Sequence, residues 1–109
     1  MADALKVLGQ AAPAATTDTT LYTVGAGASA VVSTLTVCNR SATAATFRVA
    51  VRPAGAVLAN LHYVYYDAPL AGNATFAATL GITLAATDVV TVRSDTGNVS
   101  FSLFGTEVS

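Results

Sequence analysis

The chain has no tryptophan, one cysteine, one histidine and one methionine among its 109 residues, and only five basic and six acidic side chains. Each scarcity excludes something. A lone Cys38 rules out an internal disulfide, and one cysteine with one histidine falls short of a zinc ligand set. A net charge of −1 offers no basic excess to collect phosphates, so nucleic acid is not an expected partner. No stretch approaches the roughly 20 apolar residues of a membrane-spanning helix, and no membrane partner is expected. The opening MADALKVLGQ lacks the basic start and apolar run of a signal peptide, from which synthesis and assembly in a cytoplasm are expected.

Small neutral residues take the place of charge. Alanine occurs 23 times and threonine 16 times, so the large-side-chain core is ordinary in size and the surface must be rich in short, uncharged, β-tolerant side chains. Soluble domains usually carry about a quarter charged residues, and charge is a common defence of strand edges and faces against association. Its scarcity points to surface that meets other protein; an Ala/Thr compositional bias is the alternative reading.

The length suits one domain. Residues 1–20 are Ala/Thr-rich around Pro13, without alternation, and read as an extended N-terminal arm in which residues 3–9 have room for one helical turn. From Leu21 the pattern changes to short strands punctuated by Gly, Pro, Asn and Asp, which predicts a β-sandwich over 21–109. The expected fold is all-β: a single jelly-roll-like sandwich of about seven or eight short antiparallel strands. In the strand at 31–38, Val31, Ser33, Leu35 and Val37 share one face, with Val32, Thr34, Thr36 and Cys38 on the other. In the strand at 44–52, Ala45, Phe47, Val49 and Val51 point inward, while Thr46, Arg48, Ala50 and Arg52 point out. Gly81 marks a bulge or bend in GNATFAATLGITL, and the strands TDVVTVR and NVSFSLFG form a last pair joined by SDTG.

Few residues suggest chemistry. The Asp95-Thr96-Gly97 triplet resembles the active-site triplet of retroviral-type aspartic proteases, but only 12 residues follow it, and the three residue types equally suit a tight hairpin turn. His62 and Asp67 are five apart, a spacing that puts them on opposite faces of a continuous strand, and His62 reads as structural. No catalytic, metal or cofactor site is expected. The dense cluster Tyr63, Tyr65 and Tyr66 beside His62 has three readings: sandwich core, protein interface, or a carbohydrate-contacting surface. Tyr63 and Tyr65 are expected on one face and Tyr66 with His62 on the other. Arg48 and Arg52 align on one outward face and either clamp a partner's carboxylates or solubilise it.

Three runs carry a family resemblance: LGQAAPAATTDTTLYTVGAGASAVVSTLTVCNRSATAATFRVAVRPAGA, HYVYYDAPLAGNATFAATLGITLAATDVVTV and the closing FSLFGTEVS. From about Val7 to Ser109 the chain resembles small virion structural proteins of tailed bacteriophages. The most specific elements are Val37-Cys38-Asn39-Arg40-Ser41, Leu84-Ala85-Ala86-Thr87-Asp88 and Leu103-Phe104-Gly105; relatives tend to have proline where this chain has Gly25. The resemblance implies a virion component with no enzymatic activity and no cofactor. The leading expectation is a capsid decoration or cement protein that bridges capsomers as a homo-oligomer, with the major capsid protein or other virion proteins as partners. A neck, tail, baseplate or fibre-attachment component and a host-glycan-binding module are the alternatives. Thr34, Thr36, Thr46, Arg48 and Arg52 are the expected contact residues on such a partner, with Tyr63, Tyr65 and Tyr66 as further interface candidates.

Overall fold

The computed structural model describes residues 3–109. Eight strands form two antiparallel four-stranded sheets: β1 (Asp3–Ala11), β2 (Thr19–Thr23), β3 (Ser29–Asn39), β4 (Ala45–Arg52), β5 (Tyr63–Leu70), β6 (Thr75–Leu84), β7 (Val89–Ser94) and β8 (Val99–Val108). The first sheet runs β1-β8-β3-β6 and the second β2-β7-β4-β5. Antiparallel pairing joins β1 to β8, β2 to β7, β3 to β6 and β4 to β5. This is one long antiparallel ribbon, closed at the β4–β5 connection and rolled so that successive pairs fall in alternate sheets. It is the jelly-roll form of the β-sandwich. No helix among the described residues is long and apolar enough to cross a membrane.

Alternating strands bury one side each. Leu35, Val37, Phe47, Val49, Val90, Val92, Phe101 and Leu103 fill the space between the sheets. Phe47 lies at its centre, with ring centroids 5.4 Å from Phe76, 5.8 Å from Tyr65 and 6.3 Å from Phe101. Buried Asn39 has a full set of partners: its amide donates to the carbonyls of Thr43, Ala71 and Leu70, and its Oδ1 accepts the Ser41 N–H. One side chain thereby ties the β3–β4 corner to the β5–β6 corner. Asp88 does similar work at the other end, accepting the N–H groups of Ala54 and Ala85, both at 2.8 Å.

Several expectations change. Asp3–Ala11 is a strand paired with β8, not a helical turn, and Leu8 from it enters the core. Within the described residues, 3–11 is therefore an edge strand of the sandwich instead of an extended arm. β1 can lie there because position 9 is glycine: a Cβ on Gly9 would come 2.0 Å from the Leu21 carbonyl oxygen of the facing sheet. β7 and β8 are not a hairpin pair; they belong to different sheets, and the SDTG segment is a corner between them. In β3 the expected faces fail partway, because a bulge between Val32 and Thr34 shifts the register. Val32, Leu35 and Val37 point inward while Val31 stays 43% exposed. The bend expected at Gly81 is present: Gly81 has φ +62°, and Leu80 with Gly81 lies opposite Ser33 in the shifted register.

Candidate interaction surfaces

The outer face of the second sheet collects the aromatic and charged residues. Arg48 of β4 stands opposite Arg93 of β7 in the ladder. Like charges directly across a pair of strands repel, and each arginine has a carboxylate on its far side. Arg93 Nη1 lies 3.6 Å from Asp18 Oδ1, while Arg48 donates through Nε and Nη2 to both oxygens of Asp67, at 2.7 and 3.2 Å. The result is a stripe Asp18, Arg93, Arg48, Asp67 across the sheet, neutral in sum. The Arg48 hydrogen bond holds the Asp67 carboxyl below the usual carboxylate range, against a smaller opposing effect of burial, and the same bond raises the Arg48 guanidinium further above its ordinary value.

Irregularity in β5 builds this arrangement. Phe47 pairs with Ala68 and Val49 with Tyr65, so Tyr66 and Asp67 together oppose Arg48. A two-against-one bulge re-aims side chains. Here it places the Asp67 carboxylate on the guanidinium edge and the Tyr66 ring 4.1 Å from its carbon, in cation–π geometry. Asp67 has φ 50°, a left-handed conformation that aspartate tolerates better than most residues. A second shift, between the Tyr65 and Tyr63 pairings, brings Tyr63 to Tyr66, edge to face at 4.9 Å. Tyr65 instead packs inward, 5.3 Å from Phe76. The expected grouping of Tyr63 with Tyr65 is thus corrected: the register shifts separate them and join Tyr63 to Tyr66. Asn60, Tyr63 and Tyr66 line an open hollow on this face. A smaller cleft of about 170 Å³ beside it is lined by Thr46, Arg48, Asp67, Arg93 and Asp95.

Other singled-out residues are engaged within the fold. Arg52 donates to the carbonyls of Ala56 and Gly55 and to the Thr91 hydroxyl, so it fastens the 53–56 turn. Arg52 spends all three guanidinium nitrogens on partners within the chain, whereas Arg48 spends Nε and Nη2 on Asp67. Asp95 Oδ1 accepts the Thr46 N–H at 2.8 Å, which makes the Asp-Thr-Gly segment a fastened corner. His62 is buried, and its Nδ1 accepts the Ala59 N–H, leaving the ring proton on Nε2. Among the described residues no group of three His, Cys, Asp or Glu side chains is placed to hold a metal ion.

The five expected contact residues divide between opposite sides of the molecule. Thr46, Arg48 and Arg52 belong to the second sheet, whereas Thr34 and Thr36 lie on the first. The outer face of the first sheet is different in kind. Its rows run Leu5, Thr106, Val31 and Thr83, then Val7, Phe104, Thr34 and Thr79, then Gln10, Ser102, Thr36 and Ala77, then Ser100, Cys38 and Thr75. None of these carries a charge. Leu5 is 86% exposed and Val7 49%. The contribution of Leu5, Val7 and Val31 was hidden by reading 1–20 as an arm and by the Ser33 bulge. Phe104, an aromatic at an outward position of an alternating strand, was the one visible signal.

Where this face ends, Glu107 accepts from Lys6 and from the buried Tyr22 hydroxyl. Those bonds, Tyr22 first, lower the Glu107 carboxyl; burial first, then Glu107, raises the Tyr22 phenol. Compared with protein-family models, curated proteins and solved structures, the chain has no significant match.

Proposed function

We propose that this chain is a non-enzymatic structural protein of a tailed-bacteriophage particle, most specifically a capsid decoration protein that docks on the shell and bridges neighbouring capsomers. The observation that carries the docking role is the Tyr63, Tyr66 and Arg48 cluster. Tyrosine and arginine dominate the energetics of protein contacts, and here they are held in place before any partner arrives. Tyr66 is 58% exposed on top of a guanidinium fixed by Asp67, so little side-chain freedom is lost on binding. The particle assignment rests on the family resemblance of the sequence. The docking role is also supported by the way the charges are engaged. Lys6, Arg48 and Arg93 are each paired with a carboxylate within the chain, which leaves little net charge at those positions to repel a neighbour.

The test is the molar ratio of this chain to the major capsid protein in purified particles, by quantitative mass spectrometry. A ratio near one, or a simple fraction of it, is expected for decoration. A few per cent would move the protein to the neck, tail, baseplate or fibres, and absence would remove the particle reading. Tyr66→Ala is expected to reduce occupancy on the particle while leaving the fold intact.

A second reading has its own observation. The hollow formed by Asn60, Tyr63 and Tyr66 offers two aromatic surfaces beside an amide, a combination suited to a sugar ring. Retention of the wild type on a glycan array, lost in Tyr66→Ala, would favour a host-glycan module.

A further inference from the structure

The two outer faces differ in the one property that decides whether a face can meet a copy of itself. When a face pairs with itself about a two-fold axis, its near-axis charges approach charges of the same sign, because the surface is its own partner. The second sheet carries Arg48, Arg52, Arg93 and Asp67, and the fixed bulge of β5 makes it uneven. Across the four strands of the first sheet, the rows from Leu5 to Ser100 contain no charge, and the one charged side chain at an outward position among the described residues is Asp3, at the corner of the face beside Val108 and Ser29. Like-charge repulsion is therefore absent from the middle of the face.

Its area is also sufficient. Four strands spaced about 4.8 Å apart, each of about nine residues rising about 3.3 Å, give roughly 600 Å². Two such faces bury about 1,200 Å² in total, the lower bound of a standard stable interface. Apolar side chains concentrate at one end, where exposed Leu5, Val7 and Val31 surround half-buried Phe104. Over the rest, Thr34, Thr36, Ser100 and Ser102 supply hydroxyls that both donate and accept, so hydroxyl-to-hydroxyl contact needs no complementary charge.

We propose that the outer face of the β1-β8-β3-β6 sheet is the interface of an isologous homodimer, sheet against sheet. The pairing leaves the Tyr63, Tyr66 and Arg48 cluster of each copy pointing away from the axis, one on each side of the dimer. A dimer of this form therefore presents two identical docking surfaces and can link two sites on a larger assembly. The proposal rests on the distribution of charge and area, and a chain found to be missing from phage particles would leave it standing.

Sedimentation equilibrium of the purified protein at high micromolar concentration tests it. The wild type is expected at twice the 10.9 kDa chain mass. Leu5→Glu combined with Val31→Glu, which places like charges across the axis, is expected to shift it to the monomer mass. Val57→Glu, an equally exposed position in the 53–62 connection, is expected to leave the dimer unchanged. Circular dichroism checks that each variant keeps its β signature, and Thr36→Lys gives an independent reading from the middle of the face if the double variant does not fold. A monomeric wild type, or an oligomer that survives the face substitutions with its β signature intact, would overturn the proposal.

Discussion

One buried amide closes an end of the sandwich. Removing the Asn39 side chain would leave the carbonyls of Thr43, Leu70 and Ala71 without that donor. Stranded buried polar groups cost about 1–3 kcal/mol, so Asn39→Ala is expected to lower the melting temperature by roughly 5–15 °C for a domain of this size. Asn39→Asp should be no better, since it sets a carboxylate against three carbonyl oxygens. The ionic residues predict a pH dependence. Asp67 and Glu107 have folded values below their ordinary 3.8 and 4.5, so at mildly acidic pH the unfolded chain binds protons first. Their contribution is therefore complete above the ordinary values and is lost as pH falls through them towards the depressed folded values. A thermal melt series from neutral pH into the acid range should show this decline, and Glu107→Gln should make it shallower. At this scale the sequence was partly legible. Asn39 and Asp88 lie in two of the segments that carry the family resemblance, yet their roles as clamps depend on corners that are distant in the chain.

Strand irregularities decide which side chains meet. Period-two alternation correctly marks Phe47, Val49, Phe101 and Leu103 as inward, because those stretches are regular. It fails at the register shifts beside Ser33, Val64 and Tyr66, since one additional residue reverses every later side chain. None of those positions holds a glycine or proline that would have announced the shift. Gly81 did, and its bend was legible. Two glycine substitutions should separate close approach from backbone conformation. Gly9→Ala drives a Cβ into the Leu21 carbonyl, so β1 must move. Hydrogen exchange should then show faster exchange along Asp3–Ala11 and the adjoining β8 amides. Gly81→Ala meets nothing within 4 Å, and its penalty is confined to the left-handed backbone, about 1–2 kcal/mol. Urea melts should detect that loss while the exchange pattern of β1 stays unchanged.

For the whole molecule, the rolled ribbon separates two kinds of surface by face. Burying Phe47 among Tyr65, Phe76 and Phe101 holds the two sheets together, and Phe47→Ala is expected to cost about 3–5 kcal/mol in a denaturant melt. The all-β class and the jelly-roll form were legible in the number and spacing of the strands. Which outward residues share a face was not, because neighbours in sequence such as Thr36 and Thr46 go to opposite sheets. A surface that looks uniformly neutral in composition is in fact one face that is uncharged except for Asp3 at its corner and one carrying a balanced charged stripe beside an aromatic pair. Cys38, half-buried on the uncharged face between Thr75 and Ser100, is a built-in reporter of what covers that face. The most direct test of the account is the rate at which a thiol reagent modifies Cys38 as protein concentration rises under native conditions. Contact between uncharged faces predicts a rate that falls with concentration and recovers in Leu5→Glu with Val31→Glu; a rate independent of concentration would contradict it.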